Sequence, residues 1–163
     1  MLLLLPLALQ ALLTFLDEFV HHRRRGLGRW ERWGHPLDTL SVLACWAYAA
    51  RTEFSLARLP VFVGLCVFSC LFVTKDEFVH QRECAPGETW LHALLFILHP
   101  VSLGTAGLLW YLRDTPQVPW AVLLAPWDGS AWTVVLNAQC ALLSTFFVYQ
   151  FAFWSLPWRS RPR

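Results

Sequence analysis

Apolar runs and short knots of charge alternate along this chain. Residues 2–16 are almost wholly apolar and lead into Asp17-Glu18-Phe19-Val20-His21, after which a loop carries Arg23, Arg24, Arg25, Arg29 and Arg32. Further apolar runs cover residues 36–51, 59–80, 86–112 and 131–155. A run of about 20 apolar residues is long enough to cross a bilayer as a helix, and in lipid only a helix or a closed barrel satisfies its own backbone. The expected fold is therefore all-α: a polytopic membrane bundle of five transmembrane helices, in a single domain over residues 1–163. Two parallel helical-hairpin repeats, about 2–51 and 59–112, precede an extra helix at about 131–155.

Local signals refine the elements. The first run has no basic leader and no small-residue cleavage site, so residues 2–22 read as a retained first transmembrane helix. Pro36 suits the first position of a helix, which predicts a second helix beginning at His35 and leaves Glu31 on a separate turn. Pro86 opens the fourth helix in the same way, and Pro100 is expected to kink it by freeing the carbonyl of Phe96. Residues 118–127 are apolar but too short to span, which predicts an interfacial or re-entrant piece.

Composition agrees with the pattern. Hydrophobic residues make up 56% of the chain and charged residues 15%, and the mean hydropathy is +0.44. A net charge of +2 gives no basis for binding nucleic acid. The basic residues report topology instead. With the N-terminus outside, the inner segments hold Arg23, Arg24, Arg25, Arg29, Arg32, Lys75, Arg82, Arg159, Arg161 and Arg163, while the outer ones keep only Arg51, Arg58 and Arg113. That asymmetry predicts an outer N-terminus and a cytoplasmic C-terminus, with Trp30 and Trp33 as interfacial anchors. Of the five cysteines, Cys45, Cys66, Cys70 and Cys140 lie in apolar runs and Cys84 in a loop. No C-x-x-C occurs, so small buried thiols are expected rather than a disulfide framework.

One motif occurs twice. Asp76-Glu77-Phe78-Val79-His80 repeats the first knot letter for letter, and each copy is followed by a Glu-x-x-x-His: Glu31 with His35, then Glu88 with His92. Topology calls for charge at a helix end, but not for the same carboxylate and imidazole twice. Residues three or four apart share a helical face. The predicted metal ligands are therefore Glu18, His21, Glu31, His35, Glu77, His80, Glu88 and His92, at the cytoplasmic boundary. Asp17 and Asp76 either orient the rings of their histidines or join as ligands. His22 is a solvated neighbour or an additional ligand. His99 shares the face of Glu88 and His92, about 10 Å deeper than His92 at the helical rise, and an imidazole at that depth is expected to face the bundle interior. Asp38 holds a comparable place after His35. Both are candidates for extra ligands or for a substrate pocket.

A Glu-x-x-His on helices one and three, with a Glu on helices two and four, resembles the ligand set of the ferritin-like di-iron carboxylate proteins. The resemblance lies in motif arrangement and covers residues 17–99. A histidine-rich site at the cytoplasmic boundary is also similar to the membrane fatty-acid desaturases and hydroxylases. These resemblances imply two bound metal ions, iron foremost, in an oxidoreductase that uses O₂ to hydroxylate or desaturate a lipid-like substrate. Electrons would come from a separate donor, because no nicotinamide or flavin motif is present. Mixed carboxylate and imidazole ligands also suit manganese or zinc. Two other readings of the same residues stay open: a zinc-dependent membrane lipid hydrolase, and a metal-ion transporter or carrier.

Overall fold

The structure, a computed structural model, describes residues 2–78, 84–115 and 128–155. Among these the chain forms five helices and no strand. α1 runs over Leu2–Arg25. α2 covers Arg29–Arg51, α3 Leu59–Val73 with a 3-10 turn at Thr74–Asp76, α4 Pro86–Asp114 and α5 Gly129–Ser155. The interfacial piece expected at 118–127 and the arginines of the tail lie outside the described residues.

Among the described residues three helices are long and apolar enough to cross a membrane: α1, α4 and α5. α3 is apolar but has 15 residues, about 22 Å at the helical rise, against a hydrocarbon core of about 30 Å. α2 has the length, 23 residues, but its first turns contain Arg29, Glu31, Arg32, His35 and Asp38.

Local chemistry sets the helix boundaries. Gly26 adopts φ +76°, a left-handed value open to glycine and costly for other residues, and its N–H donates to the His22 carbonyl at 2.8 Å. This ends α1, and Gly26, Leu27 and Gly28 make the whole connection to α2. The Glu31 carboxylate then accepts the Gly28 N–H at 3.0 Å, satisfying one of the amides that a helix start leaves free. α2 therefore begins upstream of the start expected from Pro36, which sits inside the helix. Glu31 and His35 share one helix as a result. α4 likewise stays helical through Pro100.

Contacts between side chains fix which helix ends meet. At one end Arg113 of α4 donates to the carbonyls of Ala49 at 2.9 Å, Ala50 at 3.2 Å and Thr52, closing the last turn of α2. Beside it the Trp110 ring packs against Tyr48, Phe54 and Phe62 with centroids 5.6, 5.1 and 5.3 Å away. Its indole N–H donates to the Thr52 carbonyl at 2.8 Å. Trp46, Leu103, Ala106, Leu109 and Leu136 complete the apolar core there. At the other end the C-terminal turns of α1 and α5 meet the N-terminal turns of α2 and α4 through polar side chains. All five cysteines are free thiols, with Cys45 fully buried among the apolar residues.

Close approach of α3 and α4 depends on Gly107. A β-carbon there would stand 2.8 Å from Cε1 of Phe62, whose ring is held against Trp110 and cannot swing away freely. Gly107→Ala is expected to lower stability by about 1–3 kcal/mol, the usual cost of overpacking. Thermal unfolding in mild detergent measures this, and Phe62→Leu in the same chain is expected to restore much of the loss.

Candidate metal centre

The last turns of α1 leave the α-helical register. Asp17–His22 is a π-helix, whose i→i+5 bonding brings residues five apart onto one side. At 100° per residue an α-helix would hold Asp17 and His22 about 140° apart. Here both turn inward, with Asp17 6%, Glu18 1% and His22 1% exposed, while His21 is half-buried.

α4 supplies the facing pair. Glu88 and His92, four residues apart in its first turns, are buried beside α1. The Asp17 carboxylate lies between two imidazoles: His92 Nε2 is 2.9 Å from Oδ1 and His22 Nε2 is 3.2 Å from Oδ2. His22 Nε2 is also 3.9 Å from Oε1 of Glu88. One donor atom from each of Asp17, His22, Glu88 and His92 falls within 4.8 Å of the others. Two carboxylates and two imidazoles gathered so closely could hold a metal ion, and the mixed donor set suits iron, manganese or zinc.

Glu18 faces the opposite side of His22. Its Oε1 accepts the indole N–H of Trp154 at 2.7 Å and the Tyr149 hydroxyl at 3.0 Å. Its Oε2 stands 3.5 Å from Nδ1 of His22. That is where a carboxylate orients a liganding imidazole through the ring nitrogen not offered to the metal. α5 is thereby tied to the site, and Thr39 of α2 reinforces the tie by donating to Gln150 at 2.7 Å.

Arg25 joins the two Glu-x-x-x-His segments. Its guanidinium donates to Glu31 at 2.6 and 3.0 Å and to Glu88 at 3.2 Å. Burial works to raise the pKa of Glu31. The Arg25 hydrogen bonds, the Gly28 N–H and the Arg25 charge together outweigh that burial and hold the group below the usual carboxylate range.

The residues singled out from the sequence are thus distributed unevenly. Glu88 and His92 enter the cluster, joined by Asp17 and His22, which the π-turn brings onto one side. Glu18 is buried beside them and bonded to α5, while His21 is half-buried. Glu31 is committed to Arg25 and Gly28. The His35 ring lies 4.6 Å from that of His22. Asp38 accepts a hydrogen bond from Lys75 at 2.6 Å. His99 Nε2 is 3.1 Å from the Ser69 hydroxyl, which is 2.8 Å from that of Ser41. Glu77 is half-buried and not a member of the cluster. His80 and the Asp76 side chain lie outside the described residues.

Three contributors went unread in the sequence: Arg25, Tyr149 and Trp154. A signal existed for the last two, since polar-tipped Tyr149, Gln150 and Trp154 cluster in the last two turns of α5. A cavity of about 170 Å³ opens from the cluster, lined by Asp17, His22, His35, His92 and, deeper, His99. Compared with known proteins, the chain matches no family model, no curated protein and no solved structure.

The lowered Glu31 pKa fixes the sign of a pH effect. Its ion pair contributes stability in full above the ordinary carboxylate value of 4.5 and loses it as pH falls through the lower folded value. Glu31→Gln mimics the protonated state. At pH 7 it is expected to lower stability by about 1.5–3 kcal/mol, the scale of hydrogen bonds to a charged group. Paired melting curves taken down the pH scale are expected to converge in acid. A gap that stays constant would show that the carboxylate charge is not what matters.

Proposed function

We propose that this chain is a membrane-integral, metal-dependent oxidoreductase that hydroxylates or desaturates a lipid-like chain, with iron as the metal. The buried Asp17–His22–Glu88–His92 quartet beside a cavity carries the reading. Carboxylates buried in an apolar bundle are costly unless cations compensate them. Arg25 faces Glu88 from one side, and a divalent cation among the four donors would balance the rest.

Iron held there would supply O₂ activation. In a hydroxylation a substrate C–H and O₂, with two electrons and two protons, give C–OH and water, the electrons coming from a separate reductase. The protein's own groups would do the remainder. Glu18 orients His22, Asp17 aligns His22 with His92, and Val42, Leu95 and Phe96 on the cavity wall limit water. A second ion, as in a dinuclear centre, would draw on His35 with Glu77 and His80 of the repeated motif. Packing of α1 on α4 and of α2 on α3 supports the repeat, since exchanging the two hairpins would interchange those pairs.

In this reading all five helices cross the bilayer, with the N-terminus outside and the site near the cytoplasmic face. α3 gains length from the turn that follows it, and the charged start of α2 lies at the boundary with the site. The same donors holding zinc would serve a lipid hydrolase.

Metal content of protein purified in mild detergent tests the proposal. Iron is expected, at two per chain if the second position fills. His22→Ala, His92→Ala and Asp17→Asn are expected to lose most of it, and His21→Ala to keep it. One zinc per chain would favour the hydrolase. Retention in His22→Ala and His92→Ala, with loss in His21→Ala, would overturn the quartet.

A further inference from the structure

A second cavity, of about 290 Å³, adjoins the metal-centre cavity. The two share Gln10, Thr14, Val42, Leu143 and Phe146 as walls. Beyond them the second is lined mostly by apolar groups, among them Leu7, Ala11, Phe15, Trp46 and Leu142. It is open between α1 and α5, where Phe15 and Leu142 are more than half exposed.

Its position follows from how the helices pair. α1 packs along α4, and α5 packs chiefly along α2 and also on α4. α1 and α5 are joined at the site end, where Tyr149 and Trp154 bond Glu18 and the Tyr149 ring stacks on Phe19 with centroids 5.5 Å apart. Beyond that junction the cavity is lined by residues of both helices. From Asp17 to Leu7 along α1, and from His92 to Ser102 along α4, the drop is ten residues, about 15 Å at the helical rise. Both helices therefore place the floor of the space at one depth. One buried polar group also stands on this wall. Ser102 is 4% exposed, its hydroxyl has no hydrogen-bond partner, and it sits on this wall.

We propose that this cavity is the binding site for one long hydrocarbon chain of the substrate, entering between α1 and α5 with its reacting carbon toward Asp17, His22 and His92. The proposal rests on the oxidoreductase reading for the chemistry, though not for the binding. Gln10 and Thr14 stand where the polar end of the cavity meets the apolar part. The apolar walls select an aliphatic chain over a polar or charged metabolite.

Photo-crosslinking with a palmitic acid bearing a mid-chain diazirine tests it, on the full chain in mild detergent with metal content measured on the same samples. Labelling is expected on α1 and α5 peptides at the cavity-lining positions. It is expected to be lost in Ala11→Trp and in Leu142→Trp, which fill the space, and kept in Leu12→Trp, which points away. All three variants are expected to retain wild-type metal. Labelling that is unchanged in both filling variants, or confined to outward positions such as Leu9 and Val134, would overturn the chain site. Site-specific labelling of a wild-type protein that binds no metal would uphold the chain site and overturn the proposed function instead.

Discussion

Four carboxylates, Asp17, Glu18, Glu31 and Glu88, are almost wholly withdrawn from solvent at one end of an otherwise apolar bundle. Each needs a compensating donor or cation, because an unpaired buried charge costs several kcal/mol. Much of the architecture at that end answers this need. Arg25 lies between Glu31 and Glu88, His22 and His92 flank Asp17, and the indole of Trp154 and phenol of Tyr149 reach Glu18 from α5. The apolar packing around Trp110 is confined to the opposite end. The bundle is thus divided along its length into an apolar half capped by Arg113 and a half that organises buried carboxylates and imidazoles.

Much of this division was legible in the sequence. Helical class followed from the apolar runs, and the repeated Asp-Glu-Phe-Val-His with its following Glu-x-x-x-His pointed to the polar end. Glu88 and His92 were readable because they sit on an ordinary α-helix at four-residue spacing. Glu18 and His21 illustrate where periodicity stops helping. The π-turn brings His22 to the inward side with Asp17, leaves His21 half-buried, and turns the buried Glu18 toward α5. A hint survives in comparing the two copies, since His22 follows the first motif while Gln81 follows the second. No spacing rule reveals that a helix will widen by one residue, because the signal lies in what the turn packs against.

Helix boundaries were less legible than helix faces. Pro36 pointed to a helix start at His35, yet the exchange between Gly28 and Glu31 begins α2 six residues earlier, at Arg29. That exchange also gives Glu31 a structural duty that its place in the repeat would not suggest. Counting apolar residues likewise separates α1, α4 and α5 from α2 and α3. α2 is poor in apolar residues because one of its faces meets the polar site.

The reach of α5 to Glu18 bears on how such a chain can be made. A ribosome releases Asp17, Glu18, His22 and Arg25 early, Glu88 and His92 some seventy residues later, and Tyr149 and Trp154 near the end. Until the last helix arrives, Glu18 lacks two of its hydrogen-bond donors. An unfinished chain is therefore marked by its own unsatisfied groups, and the finished one by their pairing with α5.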